Sequence, residues 1–231
     1  LANVVEHAGV GRRVRSRRAY ELRIARSGEL AARAHTDWVY LNRATGRPAP
    51  IEPEMILAFS PEGAPELAPP RSHFPAAPAP PAGVFRLRRR VDPRDLDQVG
   101  HVNNAVYLEY LEDCGARALA AHGWSEERLL SRQAVPVARR HWIEYRQPAL
   151  LDDELEVATW GSTVNQGSMV RHFTVTRAGD GALVARARTL LIWIDRDTAG
   201  LAAIPGSFLH DLSTNTVGAP SRTDPARPGK T

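Results

Sequence analysis

A chain of 231 residues with 43% hydrophobic residues can bury the core of one complete domain and part of another. Its single cysteine, Cys114, excludes an internal disulfide, and no apolar run approaches the roughly 18 residues that a membrane-spanning helix needs. The net charge of +4 bears on association rather than on fold. With one cysteine, no membrane-spanning run and no visible signal peptide, we expect a cytoplasmic protein. The sequence has no phosphate-binding GxxxxGK[ST] loop and no closely spaced zinc ligands, and we expect no metal, no cofactor and no nucleic-acid partner.

The first part of the chain predicts a β-hairpin and then a linker. Residues 17–25 and 29–42 have the composition of two strands around the turn Arg26-Ser27-Gly28. Residues 60–83 form a Pro/Ala-rich run with neither helical nor strand period, which predicts an extended linker. Residues 1–59 are therefore assigned to a first domain.

The second part of the chain predicts one long helix among antiparallel strands. Residues 84–91 alternate apolar and basic side chains, as a strand with one wet face does. The helix follows, and then come four segments with the composition of strands: 134–146, 154–163, 168–177 and 183–194. The order β, α, β, β, β, β indicates an α+β fold in which an antiparallel sheet wraps the helix. The complete domain is placed at 84–212, and the polar, Pro/Gly-rich residues 213–231 are predicted to be a disordered tail.

The predicted helix is amphipathic and ends at His122-Gly123. Its apolar or small positions recur with a period of about 3.6, while acidic and basic residues occupy the other faces. These positions are Tyr107, Tyr110, Leu111, Cys114, Ala118 and Ala121.

Residues with reactive or polar side chains are concentrated just before this helix. Asn103 or Asn104 is a good N-cap, and the free N–H groups of the first turn would stabilise a carbonyl oxygen that gains negative charge. With the carboxylate of Asp97 and the imidazole of His101, the segment has the parts needed for acyl transfer. The alternative is structural: Asp97 caps a turn, His101 lies at the surface and the asparagines are ordinary caps.

Two motifs of this chain resemble those of the hotdog-fold thioesterases. The first is Asp97-x-x-Gly100-His101-Val102-Asn103-Asn104-x-x-Tyr107, followed by Leu111-Glu112, and the second is Ile143-Glu144-Tyr145-Arg146-x-Pro148-Ala149-x-x-x-Asp153-Glu154-Leu155. The resemblance covers roughly residues 85–194 and is strongest to bacterial acyl-ACP thioesterases, with similarity to acyl-CoA and 4-hydroxybenzoyl-CoA thioesterases. Plant-type acyl-ACP thioesterases have Asn where this chain has Val99, and Glu-Cys where it has Pro148-Ala149. The bacterial variant therefore fits this chain better.

The resemblance implies a role for each residue of the first motif. Asp97 would act as general base on water or as nucleophile, and the Asn104 N–H would polarise the thioester carbonyl. His101 would protonate the leaving thiolate or orient water, with Asn103 and Glu112 in support. The acyl chain would lie between helix and sheet, where Trp38, Tyr40, Trp142, Trp160 and Trp193 are candidate lining residues, although core packing is the more common role. Substrate contacts are expected from the remaining motif residues, Val99, Gly100, Val102 and Tyr107.

An internal repeat links the two parts of the chain. Residues 28–51 match residues 181–204 without a gap at a spacing of 153, with 10 identities in 24 positions. That spacing is the size of a domain, which predicts tandem hotdog folds, the first lacking its N-terminal helix half. The two copies would pair within the chain, or the protein would pair as a homodimer.

The sequence alone is compatible with more than one substrate and more than one activity. Acyl-ACP is the main expectation because the tandem arrangement resembles the fatty-acid-releasing family, and acyl-CoA is the alternative. A dehydratase would need a His on a loop followed by Pro-Gly, which is not seen, whereas a non-catalytic acyl-binding module stays possible. Two arginine clusters could attract the phosphates of coenzyme A or an acidic carrier protein, or could simply be solvated strand edges: Arg12, Arg13, Arg15, Arg17 and Arg18, and Arg86, Arg88, Arg89 and Arg90.

Overall fold

The chain divides into two compact units, Leu1–His73 and Phe74–Thr231, in a computed structural model that describes residues 2–11, 14–59 and 74–218. The division falls within the segment predicted to be a linker, 60–83. Residues 60–73 of that segment lie outside the described residues, and residues 74–83 contain no helix or strand.

The first unit contains a three-stranded antiparallel sheet and a short helix. Its elements are β1 (Ala2–Gly11), β2 (Arg15–Arg23), β3 (Leu30–Val39) and α1 (Pro53–Phe59), with the strands in the order β1-β2-β3. The predicted hairpin is present, because β2 pairs with β3 through the turn that Gly28 allows with its φ of +70°. Strand β1 and helix α1 were not predicted; neither segment has a strong period in the sequence.

The second unit confirms the predicted α+β class. Its elements are β4 (Phe85–Arg90), α2 (Val106–Ala121), α3 (Glu126–Leu130), β5 (Ala134–Tyr145), β6 (Glu154–Ser162), β7 (Ser168–Arg177), β8 (Leu183–Asp195) and α4 (Gly206–Asp211). The strands form a five-stranded antiparallel sheet in the order β4-β6-β7-β8-β5, which packs against the long helix α2. The four predicted strands after the helix agree with β5 to β8 to within one residue at each end.

The core of this unit lies between α2 and the sheet. Five predicted apolar positions of α2 are buried, and Ala121, the sixth, is exposed at the end of the helix. Four of them, Tyr107, Tyr110, Leu111 and Cys114, pack in one cluster with strand residues such as Leu155, Val157 and Phe173. A second cluster, around Trp124, Trp193 and Phe208, covers the far end of the sheet. The N-terminus of α2 thus lies on a packed base, which fixes the loop in front of it.

Corresponding elements recur in the two units at the spacing of the sequence repeat. Strands β2 and β3 begin at Arg15 and Leu30, and β7 and β8 begin 153 positions later, at Ser168 and Leu183. The hairpin turns match in detail: Gly28 and Gly181 have φ angles of +70° and +69°. Each donates its N–H to a carbonyl four residues earlier at 2.8 Å.

Part of the predicted tail is ordered, which corrects the boundary at residue 213. Ser213–Asn215 form a short 3-10 helix, and Asn215 is fully buried. Its Nδ2 donates to the carbonyl oxygens of Gly83 at 2.9 Å and Thr159 at 3.0 Å. Composition cannot reveal this anchor, because its partners lie far away in the chain. Residues 219–231 lie outside the described residues.

None of the helices in the described residues is long and apolar enough to cross a bilayer.

Candidate active site

The loop before α2 is a tight hairpin closed by Asp97. The Asp97 N–H donates to the His101 carbonyl at 2.8 Å, and the Gly100 N–H donates to the Asp97 carbonyl at 3.1 Å. Gly100 has a φ of +79°, a conformation that glycine adopts without strain. Oδ1 of Asp97 accepts from the N–H groups of Val99 at 2.9 Å and His101 at 3.2 Å. Oδ2 has no hydrogen-bond partner among the described residues, so the carboxylate caps the turn with one oxygen and presents the other.

A second loop, between β5 and β6, supports the first. The Val102 N–H donates to the Ala149 carbonyl at 3.0 Å. Arg177 holds this second loop, donating to the Pro148 carbonyl at 2.8 Å and to Asp153 Oδ2 at 2.9 Å. The second sequence motif therefore has a structural function: its Pro, Ala and Asp hold the backbone that supports the loop before α2.

A buried tyrosine–carboxylate pair ties the same loop to α2. The hydroxyl of Tyr110 donates to Asp95 Oδ2 at 2.6 Å, and the Asp95 carbonyl accepts from the Asn103 N–H at 2.8 Å. Tyr110 is fully buried, Asp95 is 6% exposed, and burial raises the pKa of the Tyr110 hydroxyl. The Arg89 guanidinium lies 3.4 Å from the centroid of the Tyr110 ring. Sequence reasoning did not assign Asp95 or Tyr110 to the site; their spacing of 15 residues gives no local signal.

We expect Asp95→Ala to lower the free energy of unfolding by about 1–3 kcal/mol, because it leaves the buried Tyr110 hydroxyl without an acceptor. Urea denaturation measures this loss. The matched variant Tyr110→Phe removes the donor instead and should cost less, since Asp95 Oδ2 still accepts from the Asp92 N–H at 3.0 Å. The double variant should be more stable than the sum of the two single losses predicts. Strict additivity would contradict the proposed pairing.

The start of α2 differs in one respect from the prediction. The N-cap position is Ala105, which makes no side-chain cap, so Asn104 is not a capping residue. Asn103 instead caps the turn just before the helix, because its Oδ1 accepts from the Ala105 N–H at 3.0 Å. The Asn104 N–H donates no hydrogen bond within the described residues, and its carbonyl accepts from the Tyr145 hydroxyl at 2.8 Å. One free amide hydrogen therefore lies at the positive end of the helix.

A cavity of about 360 Å³ gathers five of the nine residues predicted for the site. Burial raises the pKa of Tyr107, one of them, to about 12, so this phenol stays neutral near neutral pH. The lining residues are Asp97, His101, Val102, Asn104, Tyr107, Tyr145, Arg146, Gln147 and Pro148. The last four lie within the second motif. That motif contributed to the resemblance, but no site role was predicted for its residues.

Four predicted site residues lie elsewhere. Val99 is 72% exposed at the tip of the hairpin, and neither Val99 nor Gly100 lines this cavity. Asn103 also stays outside, since its side chain caps the turn. Glu112 is exposed on α2 and borders a different cavity.

That different cavity, of about 410 Å³, lies between α2 and the sheet, where the acyl chain was expected. Apolar residues such as Leu111, Leu119 and Leu191 line it, together with Trp124. The tryptophans of this unit that were predicted to line it, Trp142, Trp160 and Trp193, do not do so. Trp142 and Trp160 lie on the sheet face away from α2, and Trp193 packs in the cluster around Trp124 and Phe208. Alternation along one strand does not show which of the two sets of side chains faces the helix.

The arginine cluster on β4 forms a charged strand edge. Arg86 pairs with Glu156, and Arg90 pairs with Asp152 at 3.0 Å. These contacts agree with the structural alternative for this cluster. In the other cluster, Arg12 and Arg13 lie outside the described residues.

Comparison with known proteins gives consistent matches for the second unit. A family model described as the thioesterase-like superfamily matches residues 91–212. The acyl-CoA thioester hydrolase YbgC of Escherichia coli O6:H1 is 29% identical over 129 residues, which cover 56% of this chain and 96% of that protein. The long-chain acyl-CoA thioesterase FadM of Escherichia coli K12 is 30% identical over 120 residues, covering 51% and 88%.

Solved structures give the same result. Slr0204, a 1,4-dihydroxy-2-naphthoyl-CoA thioesterase from Synechocystis, aligns with a TM-score of 0.54 at 20% identity, covering 57% of this chain and 96% of that one. The probable thioesterase YbaW from Escherichia coli aligns with a TM-score of 0.50 at 27% identity, covering 57% and 98%. The first likeness concerns the fold alone.

Proposed function

Because the chain belongs to the thioesterase-like superfamily of hotdog proteins and is a thioester hydrolase, we propose that it hydrolyses acyl-CoA with Asp97 as its catalytic carboxylate. One observation carries the assignment of the site. Asp97, whose Oδ2 has no hydrogen-bond partner among the described residues, and Asn104, whose N–H donates no hydrogen bond among them, line the same cavity at the start of α2.

The reaction follows from these two groups. The thioester carbonyl oxygen accepts from the Asn104 N–H, which stabilises the negative charge that develops on that oxygen. In one route Asp97 takes a proton from water while the water oxygen attacks the carbonyl carbon, and the C–S bond then breaks to give the acid and the thiolate. In the other route the carboxylate itself attacks, the C–S bond breaks as a transient anhydride forms, and water then hydrolyses the anhydride to release the acid and restore Asp97. In both routes the thiolate takes up a proton. His101, which lines the cavity, is the proposed donor of that proton.

Glu112 and Asn103 have weaker support as catalytic residues. Asn103 acts through the backbone turn that leaves the Asn104 N–H free, so we propose it as a positioning residue. Glu112 borders the apolar cavity along α2, and we propose that it contacts the substrate beyond the thioester. Val102 and Tyr107 contact the substrate in the cavity that Asp97 lines. Val99 and Gly100 lie outside that cavity and act through the hairpin, where the Val99 N–H donates to Asp97 Oδ1 and Gly100 makes the turn.

Acyl-CoA is favoured over acyl-ACP as the substrate class. The curated relatives named above are acyl-CoA hydrolases, and the chain spans 96% and 88% of their lengths. Acyl-ACP, the main expectation from the sequence, rested on the tandem arrangement, and no relative or structure cited above acts on it by name. We keep it as the second candidate to be tested.

The tandem arrangement is also part of the proposal. The matching strand starts and hairpin turns at a spacing of 153 support a duplicated fold, with residues 1–59 as the C-terminal part of a first copy. In this scheme residues 60–83 link the two copies, and residues 84 to about 218 form the catalytic domain. The two copies pair within the chain, or the protein pairs as a homodimer. A cytoplasmic location completes the proposal.

Thiol release from a matched panel of acyl-CoA and acyl-ACP substrates tests the substrate class. We expect kcat/KM at least about tenfold higher for acyl-CoA than for the same acyl group on ACP, a difference of about 1.4 kcal/mol in transition-state binding. The reverse preference would restore the ACP assignment. Acyl-CoA binding without turnover would indicate the acyl-binding module instead of an enzyme.

A further inference from the structure

A row of four side chains crosses the sheet on the face away from α2. The strand register pairs Trp160 with His172, His172 with Arg188, and Arg188 with Trp142. Phe173, the neighbour of His172, belongs to the core against α2, so the row faces the opposite side. None of these residues borders the cavity at the catalytic loop.

A cavity of about 520 Å³ lies over this row; we call it the outer-face cavity. Ser162, Thr163, His172 and Arg188 form its polar side. Its other side is small or apolar and comes from the segment before β4 and from the chain after α4: Ala76, Ala77, Pro78 and Val217. The cavity therefore has one wall of donors and one wall suited to a short hydrocarbon.

The polar side is organised by hydrogen bonds. His172 Nε2 lies 2.7 Å from Ser162 Oγ, and both residues are 4% exposed. Burial, together with the charge of Arg188, lowers the pKa of His172 to about 4, so the imidazole is neutral near pH 7. With the proton on Nε2, His172 donates to Ser162 Oγ, and the serine hydroxyl can then donate either to Thr163 Oγ1 or to an acceptor in the cavity.

Arg188 gives this side an uncompensated positive charge. It has no carboxylate partner among the described residues, whereas Arg186, two positions earlier on the same strand, pairs with Glu144. Its guanidinium lies 4.9 Å from the Trp142 ring centroid, and its Nε is buried without a hydrogen-bond acceptor. A buried donor that lacks an acceptor is costly, so a bound acceptor would stabilise this arrangement.

Local strain coincides with the same place. Thr163 adopts a φ of +50°, which is uncommon for a β-branched residue. Its Oγ1 lies 3.2 Å from Ser162 Oγ, at the rim of the cavity. Such strain is often found where side chains are held for a ligand.

We infer that the outer-face cavity binds a small organic carboxylate. The carboxylate would accept from the Arg188 guanidinium and the Ser162 hydroxyl, and its short aliphatic part would lie against Ala76, Ala77 and Pro78. One guanidinium matches a monoanion, whereas a phosphate dianion would lack a second positive charge here. The apolar wall favours a carboxylic acid with a few carbons over an inorganic ion.

Isothermal titration of the full chain with butyrate tests the inference, with chloride, inorganic phosphate and the uncharged butyramide as comparisons at constant ionic strength. We expect saturable butyrate binding, at least tenfold weaker binding of phosphate, and none of butyramide or chloride. Fluorescence should change on binding, since Trp160 stacks on His172 at 5.5 Å and Trp142 lies under Arg188. Equal affinity for phosphate and butyrate would overturn the assignment to a carboxylate.

Variants locate the site. Arg188→Gln should weaken butyrate binding at least tenfold, while the control Arg186→Gln, which removes a paired cation from the same strand, should leave it unchanged. Ser162→Ala gives an independent check if Arg188→Gln unfolds. Binding that is retained in both Arg188→Gln and Ser162→Ala would overturn the inference. Asp97→Asn should bind butyrate like the wild type, which separates this cavity from the catalytic one.

Discussion

Asp97→Asn is expected to lower kcat for acyl-CoA hydrolysis by about 100- to 10,000-fold, the range that a positioned acid–base group contributes. An amide neither takes a proton from water nor forms an anhydride. Its side-chain oxygen can still accept from the N–H groups of Val99 and His101, so the hairpin before α2 should stay closed. We therefore expect a loss in kcat with little change in KM, measured by thiol release under steady-state conditions.

A matched variant separates chemistry from loop geometry. Asp97→Ala removes the turn cap as well as the carboxylate, and it should lower thermal stability in addition to kcat. Asp97→Asn should melt close to the wild type. Full activity of Asp97→Asn would remove this residue from its catalytic role and would leave the fold assignment intact.

Single turnover in water labelled with oxygen-18 tests the nucleophilic role of Asp97. If the carboxylate attacks and the anhydride is hydrolysed at the aspartyl carbon, the label enters the side chain of Asp97, which a general base does not allow. A general base, like hydrolysis of the anhydride at the acyl carbon, places the label only in the released acid. The solvent-exposed position of Asp97 and its Oδ2, which has no hydrogen-bond partner in the part of the chain that the structure describes, are compatible with either route.

The second large effect concerns acid stability and depends on His172. Its pKa is about 4 in the folded protein against 6.5 when exposed, because burial and Arg188 disfavour the imidazolium. Between these two values the unfolded chain binds the extra proton, so stability falls as pH drops from about 6.5 towards 4 and is fully present above 6.5. The loss should amount to about 2–4 kcal/mol, at about 1.4 kcal/mol per pKa unit.

Urea unfolding of the wild type and of His172→Gln at a series of pH values measures this contribution. The variant lacks the titrating group, so the difference in unfolding free energy between the two proteins should change through this window. Ser162→Ala is the control, because it keeps the buried imidazole and should keep most of the pH dependence. A constant difference between wild type and His172→Gln from pH 7 to pH 4 would contradict the depressed pKa.

Local sequence patterns predicted the elements that have one buried face and are long enough to show it. The period of α2, the alternation along β4 and the strand-like composition of β5 to β8 are visible in single segments, and the structure has these elements nearly at the predicted bounds. The short helices α1, α3 and α4 span seven residues or fewer, too few to show a period. They form where tertiary packing supports them, as Trp124 and Phe208 show with ring centroids 5.1 Å apart.

The candidate site was likewise predictable only in part. The sequence placed Asp97, His101 and Asn104 together because they are neighbours along one loop, and the structure finds them at one cavity. It could not show that Glu112 borders a different cavity or that Asn103 is used up as a turn cap. Those outcomes depend on which way a side chain points after the backbone has closed.

The sequence by itself determined the α+β class, the long helix, the reactive loop before it and the repeat at 153 residues, since each is written in residues close in the chain or in direct self-similarity. Only the tertiary structure decided that Tyr110 holds Asp95, that Ala149 and Arg177 support the loop before α2, and that Asn215 anchors the end of the domain. These contacts join segments separated by 15 to 132 residues. Such pairings are selected by the packing of the whole core, which no local period records.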